Sequence, residues 1–157
     1  PNFAPTGRLA AAAASFAGTA LKWTQPPDAR EPSQRWRLYV YAADGAVADV
    51  LTLAAQSAYL FGRDRQVADV PLADASCSQQ HAVLQWRETT VVPRGTPAAL
   101  ARPRLRLYLV DLDSTGGTRV NRAAVPASTY YEVRPGDVIR FAQAPFDYVI
   151  VDENAVA

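Results

Sequence analysis

From Trp36 onward, apolar and polar residues alternate in short runs with a period of two. Arg37-Leu38-Tyr39-Val40-Tyr41 reads as a strand, and Ala43-Asp44-Gly45 supplies the turn after it. Asp49–Leu53, Ala58–Phe61 and His81–Trp86 follow as further strands. Residues 88–103 hold Pro93, Pro97, Pro103 and Gly95, which predicts a long loop. Arg104–Leu109 then alternates cleanly, polar outward and apolar inward. Tyr130–Val133, Asp137–Phe141 and Asp147–Val151 close the series, with a turn at Gln143-Ala144-Pro145. No stretch after residue 36 keeps a 3.6-residue period. Many short strands with frequent turns predict an all-β fold, a two-sheet antiparallel sandwich.

Residues 1–35 differ. Ala10–Ala14 is a low-complexity run, and Pro26, Pro27 and Pro32 stop regular structure beyond it. Phe3, Phe16, Leu21 and Trp23 are too apolar for a purely solvated tail. The segment therefore reads as an arm, residues 1–35, packed on a domain of residues 36–157. Trp23 is expected to be at least half buried, because an exposed indole leaves a large apolar area in water. The competing view leaves Pro1–Ala14 disordered.

Composition narrows the function. The chain has 157 residues, enough for one domain and one core. Sixteen basic residues face fifteen acidic ones, a net charge of +1. Broad attraction to nucleic acid through a basic surface is therefore excluded, while a small basic pocket is not. Lys22 is the one lysine among the basic residues, a bias that reads as genome composition. Cys77 is the single cysteine and His81 the single histidine. No internal disulfide can form, all-Cys and multi-His metal sites are excluded, and a reducing compartment suits the chain. No apolar run is long enough to span a membrane. The sequence starts at Pro1 and contains no Met, which reads as a trimmed fragment.

Three loop stretches carry polar residues that a sandwich core does not explain. They are Gly62-Arg63-Asp64-Arg65, Ser76–His81, and Asp111–Asn121. Each sits at a strand end, where a rigid scaffold presents binding groups. The third has Asp, Asp, Thr and Gly at positions 1, 3, 5 and 6 of a calcium-type loop. Position 12 is Arg122 where a bidentate carboxylate is required, so no metal is assigned. Asp111 and Asp113 are expected instead to accept from backbone or hydroxyl donors. Ser78 and His81 have no third orienting group or oxyanion-hole glycines to make a nucleophile–base pair. No phosphate-cradling glycine motif is present. An enzyme is not indicated, nor is a cofactor.

Together, in this order and spacing, the stretches resemble the forkhead-associated (FHA) domain. That family's pattern is Gly-Arg, then Ser-x-x-His, then Asp-x-x-Ser-x-Asn-Gly-Thr-x-x-Asn. Here it reads Gly62-Arg63, Ser78-Gln79-Gln80-His81, and Asp111 to Asn121. The likeness is nearest to one branch, the Smad-nuclear-interacting, Dawdle and pre-mRNA leakage proteins. Phe61–Leu72, Ser76-Cys77-Ser78, Gln80–Val83 and Tyr130–Val133 carry it. So does the arm, through Pro1-Asn2-Phe3, Gly7, Leu21-Lys22, Pro26–Arg30 and Arg35–Leu38. The resemblance implies an FHA-type sandwich of about eleven strands. It implies a nuclear protein of pre-mRNA splicing, in a retention-and-splicing complex, or of small-RNA processing. Its partners would be phosphothreonine segments and other splicing-complex subunits, with no direct nucleic-acid contact by this domain and no membrane.

A phosphothreonine brings about −1.5 to −2 charges and three acceptor oxygens. Arg63 can supply a cation with a planar donor fork, Ser78 a hydroxyl donor, and Arg65 a second cation. By resemblance, Thr115 and Gly116 touch the peptide backbone, and Gln79 lies beside the phosphate. Gly62, His81, Asp111 and Asn121 brace the loops: Gly62 for a tight turn, His81 and Asn121 by hydrogen bonds. Gly116 and Gly117 would permit positive φ. Two positions depart from the family. Gly116 stands where an Asn side chain grips the peptide, and Gln79 where this branch usually has Lys. The alternative function is a phospho-independent docking domain within a spliceosomal assembly.

Overall fold

The chain's structure, a computed structural model, describes residues 15, 16, 19–90, 92 and 94–155. The readings for Pro1–Ala14, including Phe3 and the alanine run, lie outside the described residues. A short pair comprises β1 (Ser15–Phe16) and β2 (Thr19–Ala20). The sandwich proper begins with β3 (Trp36–Tyr41), β4 (Val47–Thr52), β5 (Ala58–Gly62) and β6 (Val70–Pro71). It continues with β7 (Ala82–Thr89), β8 (Arg104–Asp111), β9 (Thr118–Val120) and β10 (Ala123–Ala124). Then come β11 (Tyr131–Val133), β12 (Val138–Phe141) and β13 (Asp147–Asp152). One sheet runs β10-β9-β12-β13-β3-β4 and the other β11-β8-β7-β5-β6, eleven strands in all. Among the described residues no helix is long and apolar enough to cross a membrane.

Three strands, β6, β9 and β10, lie in stretches whose pattern reads as loop. Two or three residues are too few to show a period. β7 reaches Thr89, inside the stretch expected to be a loop, because Thr89 pairs with Arg104 and its hydroxyl meets the Tyr108 hydroxyl at 3.0 Å. One pairing departs from the antiparallel expectation: β5 and β6 run parallel. The chain leaves β5 at Gly62, turns through residues 63–69 and comes back alongside. The Leu72 N–H then donates to the Gly62 carbonyl at 2.8 Å.

The inward positions fill one core. Trp86, Phe61 and Phe141 are fully buried with Leu38, Leu107, Leu109, Ile139 and Ile150. Each such side chain contributes about 1.5–3 kcal/mol by leaving water. Phe61 and Phe141 stack at 5.0 Å, and the Trp86 indole N–H donates to the Leu53 carbonyl at 2.8 Å.

β5 is buried on both faces, as its unbroken apolar run requires. Its second face forms a smaller cluster of Ala58, Leu60, Val67, Val83, Val110 and Leu112, covered by Leu21 and Trp23. Residues 20–30 thus lie across the outer face of the five-stranded sheet. Amide side chains rising from that sheet hold them there. Gln80 Oε1 accepts from the Lys22 N–H and its Nε2 donates to the Ala20 carbonyl, both at 2.8 Å. Gln85 Oε1 accepts from the Trp23 indole at 2.9 Å. Further along, Arg87 donates twice to the Asp28 carboxylate, at 2.7 and 2.8 Å. The same guanidinium lies 4.1 Å from the Tyr130 ring centre, and Trp23 meets that ring edge-on.

Trp23→Ala is expected to lower stability by about 2–3 kcal/mol, because it uncovers the second cluster and strips Gln85 Oε1 of its donor. Urea unfolding measures it. A loss under about 0.5 kcal/mol, the range of an ordinary surface change, would show that the arm contributes nothing.

Candidate functional site

β5 ends at Gly62 because nothing larger fits there. A β-carbon would stand 2.1 Å from the Gln79 carbonyl oxygen and 2.8 Å from its carbon. The requirement is close backbone approach, not the tight turn expected from the sequence, and Gly62 does not have a positive φ. That approach zips residues 61–64 onto 78–81. The His81 N–H donates to the Phe61 carbonyl at 2.8 Å, Arg63 N–H to Ser78 at 2.9 Å, and Asp64 N–H to Gln79 at 3.1 Å.

Arg63 is thereby presented beside the second loop. Its side chain is exposed, and Nε donates to the Cys77 carbonyl at 2.9 Å. Cys77 itself turns inward and is buried. Nη1 and Nη2 have no partner among the described residues. One edge of the guanidinium is anchored and the fork faces outward.

Ser78 joins the second loop to the third. Its hydroxyl oxygen accepts from the Thr115 N–H at 3.1 Å, and its own O–H has no acceptor among the described residues. Beneath it lies His81, fully buried. His81 Nδ1 accepts from the Ser78 N–H at 3.0 Å, so Nε2 carries the proton and donates to the Gly117 carbonyl at 2.9 Å. Burial holds the imidazole pKa below its ordinary value, against the opposing pull of Gly117 and Asp111. The 4.0 Å approach to Asp111 is therefore not an ion pair while the ring is neutral.

Asp111 knits the third loop. It accepts from the Ser114 N–H at 3.0 Å, from the Ser114 hydroxyl, and from the Thr118 hydroxyl at 2.7 Å. Ser114 Oγ in turn accepts from the Gly117 N–H at 3.0 Å. Asp113, expected to do the same, is exposed instead and holds a positive φ of 54°. Among the described residues, no group of three or more His, Cys, Asp or Glu side chains is placed to hold a metal ion.

Thr115 and Gly116 are exposed at the tip. Gly117 has the positive φ expected of it, 77°; Gly116 does not. Gly116 is required by contact: a β-carbon there would meet the Ala142 Cβ at 2.5 Å and the Ser76 carbonyl at 3.1 Å. Asn121 braces a different turn from the one expected. It sits at the far end of β9 and brackets residues 134–138, donating to Asp137 at 2.9 Å and accepting from the Val138 N–H at 3.0 Å. Arg65 and Gln79 are exposed, and neither side chain bonds to the loops among the described residues.

Two contributors lie within the stretches that carry the resemblance, but the sequence assigned them no role in holding the loops. Ser76 accepts from the Gln143 N–H at 3.0 Å and donates to Asp74, tying the second loop to the turn after β12 and holding the Asp74 carboxyl below its usual range. Gln80 binds the arm directly under the loop. An Asp followed three residues later by Ser does signal the Asp111–Ser114 turn.

Residues 59–142 match the FHA domain. The chain is 39% identical over 155 residues to the FHA domain-containing protein DDL of Arabidopsis thaliana, covering 99% of this chain and 48% of that protein. It is 37% identical over 155 residues to Smad nuclear-interacting protein 1 of Mus musculus, covering 99% and 39%. The chain thus spans less than half the length of these relatives. The yeast Pml1 splicing factor, solved with its integration into the RES complex, matches with a TM-score of 0.70 and 27% identity. That match covers 85% of this chain and 98% of the other.

Gly62→Ala should cost about 3 kcal/mol or prevent folding, since its methyl would overlap backbone and not a movable side chain. Thermal unfolding tests it, and an unchanged Tm would contradict the contact. His81 gives a pH dependence. Its folded pKa is depressed, so its contribution is complete above the unfolded value near 6.5 and is lost as pH falls toward the folded value. Stability should drop by up to about 1.4 kcal/mol per pH unit below about 6.5. His81→Gln should flatten that slope, measured by urea titration at several pH values.

Proposed function

The chain belongs to the FHA-domain family, and from that membership we propose that it binds phosphothreonine segments through Arg63, Ser78 and the Thr115–Gly116 tip. One observation carries the reading. An anchored guanidinium whose fork has no partner among the described residues stands beside the loop that presents a hydroxyl proton with no acceptor among them. A phosphate needs a fixed cation and neutral donors, and arginine pairs with it through two parallel hydrogen bonds. Arginine-based recognition of phosphorylated motifs is a mode this family uses. Thr115 offers the peptide a hydroxyl beside the phosphate. Arg65, exposed two residues from Arg63, adds positive charge near the site, while the exposed Gln79 beside Ser78 offers a neutral donor.

Likeness to DDL, to Smad nuclear-interacting protein 1 and to the Pml1 splicing factor supports a place in a nuclear splicing assembly. The domain's task there is to hold a phosphorylated partner beside other subunits. It needs neither catalysis nor a cofactor for that task.

Arg63→Ala should weaken phosphothreonine-peptide binding by about 30-fold or more, since removing one partner of a charge-assisted pair costs about 2–5 kcal/mol. The fold should survive, because the side chain is exposed. Calorimetry of wild type and variant against phosphorylated and plain peptides tests it. Equal binding of both peptides, or of neither, would favour the phospho-independent docking domain.

A further inference from the structure

The chain treats the outer faces of its two sheets differently. Residues 20–30 cover the five-stranded sheet, whereas among the described residues nothing covers the six-stranded one. Register sets out what that bare face carries. Arg119 pairs with Arg140, and Asp147 with Tyr41, in one row across β9, β12, β13 and β3. Val138, Val149, Tyr39 and Val50 form the next row. At the β9–β12 end lies a cavity of about 690 Å³, lined by Arg119, Asn121, Arg122, Val138, Arg140 and Asp147.

Two features of the cavity are unlike ordinary surface. First, Arg140 is paired with Asp147, whereas Arg119 and Arg122 form no ion pair among the described residues. Second, Arg122 is held in a strained backbone. Val120 pairs with Ala123, so Asn121-Arg122 is a two-residue hairpin turn, and their φ values are 50° and 71°. Asn suits the first position of such a turn, but the second calls for glycine. An arginine there carries a conformational cost that glycine would avoid. The hairpin accepts it and places a second unpaired guanidinium at the cavity.

We infer that this cavity and the apolar row beside it form a binding site for an acidic, extended peptide segment, separate from the phosphothreonine site. The two free guanidiniums offer planar donor forks that match carboxylates. Val138 supplies an apolar wall for glutamate methylenes, and Val149, Tyr39 and Val50 continue the apolar surface across the strands. Asp137 forms no ion pair with these arginines among the described residues, and its two oxygens accept from Asn121 and the Arg134 N–H. Asp147 within the cavity breaks the positive field, which disfavours a continuous nucleic-acid backbone and favours separate carboxylates.

The test is fluorescence anisotropy of the 157-residue chain with three probes. They are a short unphosphorylated peptide rich in Glu and Leu, its Lys-for-Glu twin, and oligo-uridine. The Glu peptide should bind, lose affinity with added salt, and weaken about tenfold in Arg119→Ala/Arg122→Ala. The double variant should leave phosphothreonine-peptide affinity unchanged, so failure here and failure of the phosphothreonine reading are told apart. Arg122→Gly should raise Tm by about 2–4 °C yet weaken Glu-peptide binding, which separates binding from folding. Equal binding of the Glu and Lys peptides, no effect of the double variant, or tighter binding of oligo-uridine would overturn the inference.

Discussion

A single neutral imidazole holds the binding end of this domain together. His81 accepts a hydrogen bond from the backbone of its own loop through Nδ1 and donates one to the neighbouring loop through Nε2. Both bonds require the same uncharged tautomer, and full burial enforces it. The Ser78 hydroxyl can then receive the Thr115 N–H because the two loops are already fixed at that separation. A charged ring would lose its acceptor and leave the Ser78 N–H without a partner. Burial of one polar group thus positions two exposed ones, and the desolvation that makes it costly to ionise makes it a dependable strut.

The sandwich uses the same device on its flank. Gln85, on β7, and Gln80, just before that strand, are buried amides beside the apolar second cluster. Each is satisfied by the arm, Gln80 through the Ala20 and Lys22 backbone and Gln85 through the Trp23 indole. An apolar strip alone would let the arm slide. Unsatisfied amides cost about 1–3 kcal/mol each, so only one register of the arm is stable. Because Gln80 lies between Gln79 and His81, arm and binding loop are fixed by adjoining residues.

The longer strands were legible in the sequence because period-two alternation over four or more residues suits a half-buried strand and little else. β6, β9 and β10 were not, being too short to show a period. Trp23 was legible as a buried residue of a packed arm, but the second covered face of β5 was not read from its apolar run. In the site, Arg63, Ser78, Thr115, His81 and Asp111 come together as their motif spacing suggested. Asn121 does not join them, since β9 carries it to the opposite end of the strand. Gly62 and Gly116 were legible as glycines but not for the right reason. Their constraint is a clash with residues far along the chain, Gln79 and Ala142, which no local pattern records. The buried amides leave no local trace for the same cause, since Gln80 meets its partners across about sixty residues.

Gly116 has a further consequence for recognition. The resemblance places an asparagine there to grip the bound peptide, but in this chain the position packs against Ala142 and the Ser76 carbonyl. Ala142 is itself held at a φ of 50°, with its N–H donated to the Gly117 carbonyl at 2.9 Å. Any side chain at 116 must displace that turn. The absence of the amide grip is thus built into the packing of three segments and not a matter of one residue. On the phosphothreonine reading proposed above, recognition draws more of its energy from the phosphate end, where Arg63 and Ser78 stand, and less from the peptide backbone. A site so weighted reads charge before sequence. Selectivity would then rest on surfaces beyond the loops, and the outer face of the six-stranded sheet, where Arg119 and Arg122 form no ion pair among the described residues, would be one such surface.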